Sequence, residues 1–319
     1  MKRIGIKNNN IFLGSTEFSL IAILVILFVF FSVSTNSFFS VYNLTNILKQ
    51  ASIIGIIAVA STLVIISGGI DLSVGAVTGI GSLVVALMMQ RLGSPIWLTI
   101  VAAIIAGAIC GLYNGIIIHE FKIAPFIATL GSQIIIRGII DLACQSKTIT
   151  GVYPKFSAFS DDRFAGIPKM AIVWLVIVVI IVLILKYTRF GRNIFTIGNS
   201  EEVARLSGIN LRANKYATYI ISGMLCAIAG VLLTSRINSA IPTGGAGYEM
   251  DAIAAAVIGG ASLSGGRGSI IGTLLGTLLI TIINNGGIQL GIKPFIMEVV
   301  TGVLITIAVI IDMLRVRKQ

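Results

Sequence analysis

The sequence predicts an all-α membrane protein of about ten transmembrane helices, and three observations carry that prediction. Of 319 residues, 56% are hydrophobic and only 11% charged, and mean hydropathy is +1.02, whereas a soluble domain carries about 25% charged residues. Nearly charge-free stretches recur along the whole chain, each long enough to cross a hydrocarbon core of about 30 Å as a helix. Two of these stretches resemble one another five spans apart; five crossings reverse direction, so the match predicts a 5+5 inverted repeat.

The elements follow in chain order. Residues 1–17 carry Lys2, Arg3 and Lys7 and read as a cytoplasmic N-terminus. The apolar run Phe18 to Val33 reads as a retained first span, because Ser32-Val33-Ser34 is only a weak small-x-small match and Phe38 and Phe39 lie just beyond. Candidate spans lie at about 18–33, 44–66, 73–90, 96–118, 124–145, 169–188, 215–236, 251–264, 269–285 and 294–313. The eighth is short and has Gly259, Gly260, Gly265 and Gly266 within or beside it. It is a candidate for a broken or re-entrant segment, which is tolerated only where protein or a cavity shields the backbone.

Ten spans put both termini on one side. With the N-terminus inside, the cytoplasmic segments collect the larger share of Lys and Arg, among them Lys122, Lys186, Arg189, Arg192, Arg205, Arg212 and Lys215. That is the bias expected of cytoplasmic loops. The same bias accounts for the formal charge of +11, from 23 Lys and Arg against 12 Asp and Glu, and no nucleic-acid partner is needed to explain it. Cys110, Cys144 and Cys226 lack any C-x-x-C spacing and His119 is the only histidine; this predicts neither a metal site nor a disulfide framework. The whole chain, 1–319, reads as one membrane domain.

Two loops are long. The external loop, 146–168, holds turn formers, Tyr153 and the acidic pair Asp161 and Asp162; it is either a docking surface or a solvated connection. The cytoplasmic loop, 189–214, includes GNSEEVARLSG. Asn199 or Ser200 can cap a short helix there, Glu201 and Glu202 suit its positive end, and Gly208 can terminate it. Val203 and Leu206 share one face of it. From the residues alone, such a helix could equally lie on lipid headgroups.

Inside the spans, Arg137 and Asp141 stand i, i+4 and are predicted to neutralise one another. Asn114, Thr129, Ser132, Gln133, Asn284 and Asn285, with Arg137, are candidates for a translocation path, since neutral donors and acceptors recognise a hydroxylated solute and release it again. The glycines of GGASLSGGRGS at 259–269 are not a phosphate loop, because G-x-x-x-x-G-K-[ST] is absent. The repeat pairs Asp71-Leu-Ser-Val-Gly-Ala-Val-Thr-Gly-Ile-Gly-Ser-Leu83 with Asp251-Ala-Ile-Ala-Ala-Ala-Val-Ile-Gly-Gly-Ala-Ser-Leu263. It predicts Asp71 near the cytoplasmic face and Asp251 near the external face, each a structural cap at its helix N-terminus.

Four motifs in order, SGGIDLSVGA at 67–76, PFIATLG at 125–131, GRNIFTIGNSEEVARLSGIN at 191–210 and GYEMDAIAAAVIGGASLSGGRGSIIGTLLG at 247–276, resemble the ribose-type monosaccharide permeases of bacterial ABC importers. The resemblance implies a multi-pass inner-membrane homodimer. It also implies a cytoplasmic ABC ATPase, often with two nucleotide-binding modules in one polypeptide, and an extracytoplasmic sugar-binding protein. ATP and Mg would belong to the ATPase, with no cofactor on this chain. It further implies that Gly198, Asn199, Ser200, Glu201, Glu202, Val203, Ala204, Arg205, Leu206, Ser207 and Gly208 form the coupling segment, with Val203 and Leu206 as knobs. Two rival classes stay on the table: an ion-coupled secondary carrier, which an inverted repeat would serve equally well, and an intramembrane enzyme using paired aspartates.

Overall fold

The computed structural model describes residues 15–317, so Lys2, Arg3 and Lys7 of the expected cytoplasmic N-terminus, and Lys318, lie outside the described residues. The chain is mostly helical, at 76%. Ten of its helices follow the ten expected stretches: α1 (Ser15–Ser34), α2 (Val41–Ile66), α3 (Val74–Leu92), α4 (Ile96–Glu120), α5 (Pro125–Cys144), α7 (Lys169–Tyr187), α10 (Leu211–Ile237), α11 (Tyr248–Ile258), α12 (Ile270–Gln289) and α13 (Pro294–Arg317). Among the described residues, eight of them are long and apolar enough to cross a membrane, and α13 adds a further apolar stretch, Pro294–Ile310. The eighth stretch is the exception. Eleven residues of α11 rise about 16 Å, half of a hydrocarbon core.

The ends of the helices follow from the local sequence. Ser40, Asn210 and Ser269 accept hydrogen bonds from Asn43 N, Ala213 N and Gly272 N, which opens α2, α10 and α12. Gly93, Gln145 and Asn238 close α3, α5 and α10 in left-handed geometry. The 146–168 loop is more ordered than its turn formers predict. It holds the short helix α6 (Pro154–Ala158) and three two-residue strands, β1 (Ile149–Thr150), β2 (Arg163–Phe164) and β3 (Ile167–Pro168). β2 and β3 form a hairpin, and β1 pairs antiparallel with β4 (Ser239–Ala240), Ile149 opposite Ala240.

The centre of the bundle is α2, whose residues from Ala51 onward are nearly all buried; around it stand α7, α10, α11 and α12. α10 also packs along α3 and α4. The α4–α10 crossing is backbone against backbone, for Gly107 abuts the Gly223 carbonyl and Gly111 the Tyr219 carbonyl, the small-residue packing that suits helices in lipid. Interhelical polar pairs add to it: Thr62 with Thr273 at 2.7 Å and Thr234 with Ser82 at 2.6 Å.

Contacts between loops sort the connections into two ends. At one end, Ser37 bonds Gln289, Lys49 pairs with Asp161 at 2.5 Å, and β1 meets β4. At the other, Gly266 N donates to Ile66 O at 2.9 Å, Ser269 bonds Glu17 at 3.2 Å, and Asp312 accepts from Ser262 and Leu263 N at 3.1 Å.

The expected thirteen-residue register does not survive as structural equivalence. Asp71 precedes its helix and Asp251 is the fourth residue inside its own, while residues 259–263 are non-helical where 79–83 are helical. What the two segments share is coarser. The first turn of α3 meets the first turn of α11 inside the bundle, where a Cβ on Gly75 would collide with Glu249 and with the Gly245 carbonyl. The starts of the two helices therefore meet inside the bundle.

Candidate functional site

The loop between α2 and α3 is held by buried polar groups from three helices. Asp71 accepts from Ser73 N at 2.9 Å and Ser73 Oγ at 2.6 Å, and Ser222 of α10 donates to its other oxygen at 3.5 Å. Asn114 of α4 donates to Ser73 Oγ at 2.8 Å, and Thr129 of α5 accepts from Leu72 N at 3.1 Å. Asp71 thus fixes the approach to α3 by satisfying the backbone next to the helix start. Asp251 makes no such bond among the described residues; at the start of α11 it is Glu249 that accepts from Gly247 N, at 3.3 Å.

The seven candidates for the path fall into three groups. Asn114, Thr129 and Ser132 are buried, the first two within the network around Ser73. Asn285 forms a reciprocal amide pair with Asn43, at 2.9 and 3.0 Å, and with Asn284 lies on α12, beside α1 and α2 and away from α5. Gln133 and Arg137 are the pair the fold brings together. Gln133 donates to Glu249 at 3.3 Å, and Arg137 donates to the carbonyls of Gly244 at 2.7 Å and Pro242 at 3.3 Å. The expected Arg137–Asp141 ion pair is not formed: the guanidinium turns to the 242–244 carbonyls, and Asp141, which is exposed, accepts from Ser146 at 3.4 Å.

Glu249 is the residue the sequence reading missed. It is 8% exposed, and its signal was available: an acid at the second position of a short helix that opens directly after the glycines of TGGAG.

At the far end of the bundle the 188–210 segment is two helices, not one. α8 (Arg189–Asn199) is capped by Thr188, whose Oγ1 accepts from Gly191 N, and buries Ile194 and Ile197. Ser200 then ends α8 and caps α9 (Glu201–Leu206) by accepting from Val203 N at 3.3 Å. Gly208, at φ +75°, closes the segment as its sequence predicts. Ala204 is fully buried, whereas Val203 and Leu206 are 55% and 78% exposed. Lys215 pairs with Glu201 at 2.5 Å. Gly198 sits where a Cβ would overlap the Ile66 carbonyl and come 2.5 Å from Gly266 N, and Gly265 and Gly68 lie against it. The segment therefore rests directly on the loops that feed α3 and leave α11.

Over residues 43–309 the chain matches the family described as branched-chain amino acid transport system / permease component. It is 44% identical over 291 residues to the ribose import permease protein RbsC of Bacillus subtilis, covering 91% of this chain and 90% of that one. It is 38% identical over 304 residues to the ribose import permease protein RbsC of Escherichia coli K12, covering 92% of each. To the galactose/methyl galactoside import permease protein MglC of Haemophilus influenzae it is 37% identical over 301 residues, covering 89% of this chain and 90% of that one. No solved structure matches.

Proposed function

The chain belongs to the ribose-type permease family of ABC importers, and on that premise we propose that it carries a monosaccharide, ribose or a close relative, from a binding protein into the cytoplasm. It is a multi-pass inner-membrane subunit and not itself an enzyme; ATP is hydrolysed by a separate subunit, to which ATP and Mg are assigned. Neither the ion-coupled carrier nor the intramembrane enzyme is favoured.

In this reading the chain is one membrane domain crossing ten times with both termini in the cytoplasm. The eighth crossing is α11 together with the 238–247 segment that descends to it. A 5+5 inverted arrangement is supported by α3 and α11, two helices that start against one another inside the bundle and lead away to its two ends. Two copies would form the conduit. Support comes from α5, on which Gln133, Arg137 and Asp141 repeat every four residues along one stripe, beside the exposed Ile127, Leu130 and Ile134. Carboxylate and guanidinium groups are costly against lipid, so that stripe belongs at a water-filled axis between copies.

The observation that carries the mechanism is the α8–α9 segment. It presents two apolar side chains outward while Ala204 and Gly198 seat it on the bundle. Val203 and Leu206 dock in a groove of the ATPase, so closure of the nucleotide sites moves α9. Because Gly198 bears on both the 67–73 and the 259–269 loops, α3 and α11 shift together. Coupling is then the difference in docking free energy between the two permease conformations. The test is ATP-dependent uptake of labelled D-ribose by cells in which this permease is deleted and restored. Unchanged uptake on deletion, or uptake that survives ATP depletion and stops with an ionophore, overturns the reading.

A further inference from the structure

Resting on the transport reading above, we propose that Glu249, Arg137 and Gln133 form a sugar-hydroxyl binding point inside the permease itself, where the first turns of α3 and α11 meet. Glu249 is buried to 8% exposure. Gln133 and Gly247 N both donate to its Oε1, while its Oε2 has no partner among the described residues. Arg137 donates through Nη1 to Gly244 and Pro242, while its Nη2 is buried and likewise unpartnered. Burying two such groups without partners is a cost that folding alone does not explain.

Among the described residues neither is satisfied by the other. Glu249 Oε2 lies against Gly75, and Arg137 Nη1 lies 3.1 Å from the Cβ position of Gly79. Those two glycines are one helical turn apart, about 6 Å along α3, and the two charged groups form no ion pair. A donor and an acceptor separated in this way fit hydroxyls on a sugar ring, each of which can give one hydrogen bond and take another. Opposite charges this close favour a neutral polyol over an anion, which meets the carboxylate, and over a cation, which meets the guanidinium. Both helices begin here with the positive ends of their dipoles inward, and Ser73 leaves the first turn of α3 without a side-chain cap. The surrounding Ile134, Gly138, Ala246 and Gly247 are exposed, so the point lies just beneath the α5 stripe.

The experiment uses the whole importer, this permease with its ATPase and binding protein, in proteoliposomes. It measures labelled D-ribose taken up per ATP hydrolysed. Glu249→Gln and Arg137→Lys are each expected to lower that ratio at least tenfold. Gln133→Leu, which leaves both charges in place, is expected to lower it severalfold and serves if the charge variants do not assemble. Glu249→Gln combined with Arg137→Gln is expected to stay low, because the sugar contacts are still missing. Recovery of the wild-type ratio in that double variant would show a purely electrostatic latch and overturn the proposal. So would a wild-type ratio in all the single variants, as would uptake and hydrolysis falling in equal proportion. No uptake by wild-type vesicles overturns the transport reading, and this proposal with it.

Discussion

Replacing Leu206 by Asp should separate docking from folding, because the side chain does nothing for the isolated permease. It is 78% exposed at the tip of α9, and Val203, three residues earlier, is 55% exposed; the helix is held instead by Ala204, which is fully buried, and by the Ser200 cap. Folding of the permease should therefore change by no more than about 0.5 kcal/mol, the range for surface substitutions. Docking is different. Full burial of a leucine side chain stabilises by about 1.5–3 kcal/mol, so losing most of it through Leu206→Ala should weaken capture of the ATPase by about tenfold to a hundredfold per coupling helix. An aspartate in the same groove adds the cost of an unpaired charge in apolar surroundings, taking the loss beyond about a hundredfold. The assay is titration of the ATPase onto the permease in nanodiscs, with melting of the permease alone as the folding control. Affinity of Leu206→Asp within threefold of wild type would refute the docking argument, and a large fall in melting temperature would refute the claim that α9 is held from its other face.

Arg137→Ala should lower the melting temperature and uptake by freeing the Gly244 and Pro242 carbonyls, and adding Asp141→Ala should give no rescue; a double variant better than the single one would restore the i, i+4 pair that the structure lacks. Asp141→Asn alone should cost less than about 0.5 kcal/mol, read by the same melting curves. Gly198→Ala should insert normally yet lose at least tenfold in ATP-driven uptake, because its Cβ overlaps the Ile66 carbonyl; wild-type uptake would show that the junction can yield. Single cysteines at Phe164 and Leu206, in a chain lacking Cys110, Cys144 and Cys226, should react with an impermeant maleimide in intact cells at the first position and only after permeabilisation at the second. The reverse pattern would invert the topology.

The helices were legible because hydropathy and caps are local. Every long span appears within a few residues of its expected bounds, and Ser200 and Gly208 frame α9 as their chemistry dictates. Arg137 shows where local reasoning stops. Helical spacing put Asp141 in reach, but a guanidinium takes the best acceptors available, and those are carbonyls 105 and 107 residues away in sequence. The partner of Asn285 was hidden for the same reason, since Asn43 is 242 residues distant. α8 was hidden by GRNIFTIGN, a run whose glycines and asparagines read as loop; Ile194 and Ile197 hold it helical by burial against the bundle, a tertiary term that propensity does not contain.

The placement of the glycines explains how a six-residue helix at one end could control a site inside the bundle. A flexible contact would absorb motion of α9, but Gly198, Gly68 and Gly265 meet backbone to backbone, the Asn199 side chain packs against Gly266, and Gly266 N is bonded to Ile66 O. Closely packed backbones transmit a displacement instead of damping it. From this junction α3 is reached through six residues, 68–73, whose course is set by Asp71, Asn114 and Thr129, and α11 is reached backward through 259–265. The two helices meet at Gly75 and Glu249. A shift that moved one loop without the other would separate the Glu249 carboxylate from Gly75, so the two loops have to move together if the central contact is to persist, and unequal movement is what would open it.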